Sequence, residues 1–331
     1  MFYKILNISD VQSKIFSKTI FILLILSFNI GTYFKTHYKN YINVAYAFDN
    51  NYEYITHVSM KSIMISQNKS TFINFYLLVS DLSLQQKSII NMIKLEHKNC
   101  DIHFFDMGKK FQNFSVRLNI WTKAIYYRIC LQDLLPHEKK VIYLDTDTLI
   151  YKDLTELYNY EIDKKYYIGM LENRKHTYFE QYNTSFNQYI NSGVLLCNLE
   201  ELRKNNLTNK YLEFFEKFKS KISFPLNDGL NYVSNGKNGY FTPEYVVIGF
   251  CNESESFNYY NDMNIKVDPQ KVLESYKNPY IYHFILFVKP WKGIANNKYH
   301  VCIDPITRFY EIARKTSIYY EILKRFPLKI F

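Results

Sequence analysis

From Ile42 onward, short apolar runs alternate with longer stretches in which apolar residues return at helical spacing. The runs at 42–48 and 72–79 have the length and content of buried strands. Between them, Ile55, Val58, Ile63 and Met64 fall near the helical period and predict a helix over 54–67. A helix is expected at 83–97, a strand at 102–105, a helix at 119–134 and a strand at 141–145. Such alternation predicts a mostly parallel sheet with helices on its faces. Beyond Asp147 the pattern loosens. It predicts a strand at 166–171, a polar loop at 172–188, a strand at 193–198 and a helix at 199–219. A helix start at 227–233 and Asn-Gly turns at Asn235 and Asn238 follow. The last strand is expected at 280–284, and 306–331 reads as one basic amphipathic helix stopped near Pro327. No internal repeat is evident.

Charge adds a second layer. The chain has 331 residues and a formal net charge of +10. Residues 1–41 carry five Lys/Arg against one acid, and 306–331 carry six against two. The ends therefore hold most of the excess, and the middle is close to neutral. That argues against a nucleic-acid partner and for an anionic membrane surface. Residues 19–34 are free of charge and mostly apolar. As a helix they would extend ~24 Å against a hydrocarbon core of ~30 Å, which suits a short anchor, a signal-like segment or an interfacial helix. An extra helix packed on the domain would read the same way. The five cysteines are scattered, with no metal or disulfide spacing, and favour a reducing compartment. The expected organisation is a hydrophobic basic segment at 1–41, an α/β domain at 42–305 and the basic helix at 306–331. Membrane association with the domain facing the cytoplasm follows from it.

The strand at 141–145 ends in Asp145-Thr146-Asp147. Alternate residues of an extended chain share a face, so the two carboxylates converge at the strand's carboxyl end. Open α/β sheets bind ligands there. Paired carboxylates that hold a divalent ion against phosphate oxygens are one reading; an acidic turn after a strand looks the same. Asp147 is expected to lie on solvent. The strand at 42–48 also ends in polar residues, Asp49-Asn50-Asn51-Tyr52. Asp49 and Asn51 offer hydrogen bonds and Tyr52 a stacking face, as in a nucleotide-binding loop. With nine glycines and no Gly-rich phosphate loop, hydride transfer and ordinary kinase chemistry are disfavoured.

Four segments together resemble glycosyltransferase family 8. They are 47–52, 143–147, 191–199, and His283 with Lys289-Pro290-Trp291. The resemblance runs from about Ile42 to Trp291. It implies an α/β chain with the GT-A nucleotide-diphospho-sugar transferase fold, a mostly parallel Rossmann-like sheet with helices on both faces. It implies a retaining hexosyltransferase moving galactose or glucose from UDP-hexose to a glycan or glycolipid hydroxyl. By that resemblance Asp145, Asp147 and His283 hold the metal. A carboxylate–imidazole set suits Mn²⁺ better than Mg²⁺, the second candidate. Ala47, Asp49, Asn51, Tyr52, Thr146 and Lys289 would meet the nucleotide. Arg128, Glu172, Asn191, Asn227 and Asp228 would orient the sugar. The glycine of Asn191-Ser192-Gly193 would permit close backbone approach.

The chain departs from the family pattern in three places, the first around Ile120, where a histidine often precedes the helical arginine. Leu226-Asn227-Asp228 stands where Asp-Gln-Asp is common, and Ile285-Leu286-Phe287-Val288 where a glycine often faces the diphosphate. These departures keep two rivals open. One is a catalytically weak or inactive member that binds nucleotide or glycan. The other is a metal-dependent nucleotidyltransferase, which would want a triphosphate loop that the sequence lacks.

Overall fold

The central strand, β1 (Asn40–Asp49), alternates its side chains between two cores. Ile42, Val44, Tyr46 and Phe48 enter one; Ala45 enters the other, with Ala47 packed against it. The computed structural model describes residues 38–114, 122–172, 182–183, 189–219, 222, 224–248, 268–285, 289–292 and 303–326. Within these, β1 pairs in parallel with β2 (Thr71–Ser80) and with β4 (Lys140–Leu144). β2 pairs in parallel with β3 (Cys100–Asp106). β7 (Ile190–Asn198) lies antiparallel to both β4 and β6 (Tyr167–Leu171), and β8 (Gly239–Tyr240) closes the sheet. The order is β3-β2-β1-β4-β7-β6-β8. Strand order reverses between β1 and β4, the usual place for a ligand crevice in such sheets.

A second sheet has the order β5-β10-β9, formed by Thr148–Ile150, Ile281–His283 and Val246–Ile248. Sequence periodicity missed β5 and β9, each only three residues long. This small sheet matters because β10 carries His283 and β5 begins one residue after Asp147.

Helix α1 (Glu53–Ser66) is buried almost all round. Met60, Ile63 and Met64 face the main sheet, while Val58 meets the C-terminal helices. Helix α2 (Leu84–Glu96) starts on a Ser83–Gln86 capping box. The expected helix at 119–134 is a 3-10 stretch, Lys123–Cys130, running into a single turn, α3 (Leu131–Leu134). Another single turn, α4, covers Thr155–Tyr158. The expected helix at 199–219 is two helices, α5 (Leu199–Lys204) and α6 (Leu207–Phe218), because Asn206 adopts a left-handed φ of 53°. Helix α7 (Pro225–Ser234) begins with proline in its first turn, and α8 covers Pro269–Lys277.

The tail also differs from expectation. It forms α9 (Ile303–Arg314) and α10 (Tyr319–Arg325), not one helix. Phe309, Tyr310, Ile312, Ala313, Ile318 and Ile322 are buried against Leu149, Val247, Tyr282 and Phe284. The apolar stripe is thus spent on the domain. Among the described residues no helix is long and apolar enough to cross a membrane, and 19–34 lie outside them.

His57 in α1 is fully buried. Burial pushes its ring from the ordinary 6.5 down to about 4, with Lys61, Glu96 and His97 as its charged neighbours. The folded state therefore holds this ring neutral while the unfolded chain protonates it. Stability present above pH 6.5 is lost as pH falls toward 4. Chemical denaturation should show that loss already between pH 6.5 and 5, before most carboxylates titrate. His57→Met should flatten this limb. An equal slope in the variant would remove His57 from the account.

Candidate active site

Asp145 follows directly on β4, and its backbone is fixed from two sides. Its N–H donates to Gly193 O at 2.7 Å, and Thr148 Oγ1 donates to its carbonyl at 2.9 Å. Thr148 is itself tied to the core through Ser59 and Tyr46. Phe284 N donates to Asp147 O at 2.9 Å, which locks β10 to the carboxylate turn. Thr148 pairs with His283 across β5 and β10. Local strand pairing therefore brings a residue some 140 positions distant onto the Asp-Thr-Asp turn.

His283 Nε2 lies 3.2 Å from Asp147 Oδ1 and 3.7 Å from Asp145 Oδ2. One ligand atom from each of Asp145, Asp147 and His283 lies within 4.8 Å of the others. Among the described residues this is the one group of its kind. The cradle is tight. A Cβ on Gly193 would sit 2.2 Å from His283 Cε1 and 2.7 Å from Asp145 Oδ2. The donor set, two carboxylates and an imidazole, suits a divalent transition ion.

Each carboxylate also has a private cation. Arg128 Nη2 donates to Asp145 Oδ1 at 2.7 Å, and Lys289 Nζ donates to Asp147 Oδ2 and to Phe284 O. Burial alone would raise the Asp147 carboxyl. Lys289 and His283 outweigh it and hold the group well below the usual carboxylate range. Asp147 is 17% exposed, so the expectation of a solvent position is corrected: it is largely enclosed by its partners. Lys289, expected to meet the nucleotide, rests here on Asp147 and the Phe284 carbonyl. Arg128 is in the site, but its fork is set on protein acceptors, Asp145 Oδ1 and Ser192 O. Its guanidinium stacks on the Tyr143 ring at 4.0 Å, and the Tyr143 hydroxyl donates to Asp145 Oδ1 at 3.0 Å. Sequence reading passed over Tyr143, although i, i+2 alternation puts it on the face of Asp145.

Beside the metal group lies an amide cluster. Glu172 Oε2 accepts from Asn191 Nδ2 at 3.1 Å and from Asn227 Nδ2 at 2.9 Å. Asn227 Oδ1 accepts from the Ser192 N–H and hydroxyl. Asn191 Oδ1 accepts from Gly193 N at 2.8 Å. The predicted trio is therefore brought together. Asp228 is a correction. It is buried, and its oxygens accept from Tyr182 OH, Tyr189 OH and Phe224 N. It points into the start of α7 and away from the amides. On the other side, Asp49 Oδ1 accepts from Asn51 N at 3.0 Å. Tyr52 lies near the carboxylates: burial first, then Asp147, Asp49 and Asp145, push its hydroxyl up to about 12. Ala47 is half-buried and Thr146 buried, each next to one of these polar turns.

The sequence pattern of glycosyl transferase family 8 matches residues 43–295, which contain every residue of this site. The chain belongs to glycosyl transferase family 8. A "Putative glycosyltransferase" of Haemophilus influenzae is 28% identical over 195 residues, 57% of this chain and 59% of that protein. "Lipopolysaccharide 1,2-glucosyltransferase" of Escherichia coli is 26% identical, covering 57% of each chain. The match thus spans under two thirds of these relatives. A structure of the galactosyltransferase LgtC with donor and acceptor sugar analogs superposes with a TM-score of 0.69. That match has 22% identity and covers 83% of this chain and 96% of LgtC. It shows the GT-A fold expected for a family 8 chain. The family departures around Ile120 and at 286–288 lie outside the described residues; Leu226 is buried in the core beside α6.

Proposed function

We propose that this family 8 chain is a Mn²⁺-dependent retaining hexosyltransferase. It would move galactose or glucose from a UDP-sugar to a glycan or glycolipid hydroxyl. One observation carries the reading: Asp145, Asp147 and His283 converge at the strand-order reversal, next to the Glu172–Asn191–Asn227 cluster. Arg128 and Lys289 balance the two carboxylates. A divalent ion would then add two positive charges, matching the two negative charges of a sugar diphosphate. Bound there, the ion supplies charge stabilisation to the departing diphosphate. Tyr52 would stack on the nucleoside, and Lys289 would turn from Asp147 toward phosphate oxygens. The amide cluster would hold sugar hydroxyls. The lipopolysaccharide glucosyltransferase relatives and LgtC support a hexose donor and a glycan acceptor.

Retention of anomeric configuration needs either a covalent intermediate or same-face attack. Within the amide cluster, Asn227 has its side-chain oxygen already engaged by Ser192. Asp228 is turned into tyrosines. Neither is placed as a nucleophile, which favours same-face transfer. Intact-mass measurement during turnover should show no glycosyl-enzyme; a hexose trapped on Asn227 or Asp228 would contradict this. A panel of UDP-sugars, followed by UDP release with and without glycan acceptors, tests the function itself. Binding without release would select the inactive-member reading instead. Pyrophosphate release from a nucleoside triphosphate would select the nucleotidyltransferase.

We also propose attachment to an anionic membrane surface, with the active site toward the cytoplasm. The support is the charge of the two chain ends and the exposure of Tyr320 and Lys324 on α10. The described cysteines, Cys100, Cys130 and Cys197, are free, as in a reducing compartment. Co-sedimentation with anionic but not neutral vesicles is expected. Equal recovery in both supernatants would contradict it.

A further inference from the structure

The two oxygens of Asp145 have different surroundings. Oδ1 accepts from Arg128 Nη2 at 2.7 Å and from Tyr143 OH at 3.0 Å. Oδ2 faces His283 Nε2 at 3.7 Å and borders the Gly193 cradle. The donors are themselves immobilised. Tyr143 is fully buried in β4, two residues before Asp145. Arg128 is tied to Ser192 O at 2.6 Å and to Ile125 O at 3.2 Å, and stacks on the Tyr143 ring. Asp147 is divided the same way: Oδ2 takes Lys289 and Oδ1 faces His283 at 3.2 Å. Each carboxylate therefore offers one oxygen to the space beside His283.

We infer that Tyr143, together with Arg128, is a positioning residue that fixes the rotation of the Asp145 carboxylate and reserves Oδ2 for the divalent ion. A carboxylate oxygen has two lone pairs, and two donors fill both on Oδ1. Rotation of the carboxylate would break two charge-assisted bonds together, one of them to the Arg128 guanidinium. The same bonds would keep Oδ1 from an ion, so Asp145 would offer it one oxygen. Partners that orient a ligand in this way commonly change metal affinity by ~10- to 100-fold when removed. The inference rests on the metal reading proposed above.

Tyr143→Phe removes one hydroxyl and no charge, so it separates geometry from electrostatics. The measurement is Mn²⁺ titration of the purified protein with UDP present, read from the free Mn²⁺ signal in electron paramagnetic resonance. No sugar is present and no turnover is needed. Mn²⁺ affinity should fall about tenfold, while UDP affinity in chelator and the melting temperature stay at wild-type values. If Tyr143→Phe does not fold, Arg128→Lys carries the same titration, since it keeps the charge and breaks the fork. Its Mn²⁺ affinity should also fall. Wild-type Mn²⁺ affinity in the folded variant overturns the inference. So does an equal loss of metal-free UDP affinity, which would make Tyr143 a packing residue. A wild-type protein that takes up no Mn²⁺ with UDP overturns the metal reading, and this inference with it.

Discussion

Asp147→Asn is expected to lower sugar transfer at least about a hundredfold while the protein stays folded. The amide keeps the shape of the carboxylate and loses its charge. Asp147 Oδ1 is the oxygen facing His283, so a ligand of the proposed ion is weakened directly. The cost to the fold should be moderate. Lys289 loses an ion partner but retains Phe284 O, and the Phe284 N–H still reaches the Asp147 carbonyl. Breaking a pair that is largely shielded costs more than breaking a surface pair, so a modest drop in melting temperature is expected. Steady-state transfer with Mn²⁺ saturating, beside circular dichroism, checks both halves. Near-normal turnover in the folded variant would remove Asp147 from the metal site.

Gly193→Ala should be nearly as severe, for a steric reason. The added methyl has no room: His283 Cε1 would be 2.2 Å away, Asp145 Oδ2 2.7 Å and Asn191 Oδ1 3.0 Å. None of these can yield cheaply. His283 is in a strand, Asp145 is held by Arg128 and Tyr143, and Asn191 bonds the Gly193 N–H itself. Overpacking typically costs ~1–3 kcal/mol. The expected result is a folded but less stable protein whose Mn²⁺ affinity and transfer both fall by about a hundredfold or more. A variant with full Mn²⁺ affinity would show that the ring and carboxylate can separate without loss.

What was legible in the sequence was what repeats locally. The runs at 42–48 and 72–79 and the strand before Asp145 were readable because a fully buried strand is continuously apolar. The Asp-Thr-Asp turn was readable because alternation alone puts two carboxylates on one face. Gly193 was readable as a place of close approach, but what approaches it was not, since His283 arrives through β10 and the second sheet. The strands β5 and β9 are too short to show a period. Asn206 breaks the helix at 199–219 through a backbone angle that asparagine tolerates and composition does not announce. By the resemblance Asp228 was to help orient the sugar. On a helix, adjacent residues face different ways, and two buried tyrosines claimed its carboxylate. The tail read as free and amphipathic because its apolar partners, Leu149, Val247 and Tyr282, come from distant strands. Tyr143 was hidden for the same kind of reason: a tyrosine in an apolar strand reads as core, and its hydroxyl acquires meaning only beside Arg128 and Asp145.

The most direct test of the central claim is UDP release from UDP-galactose and UDP-glucose by protein stripped with chelator, before and after Mn²⁺ is restored. Negligible release that returns on adding Mn²⁺, and that fails to return in Asp147→Asn, is the predicted result. Release from either donor that is equally fast in chelator would contradict a divalent ion at Asp145, Asp147 and His283 as the centre of the chemistry.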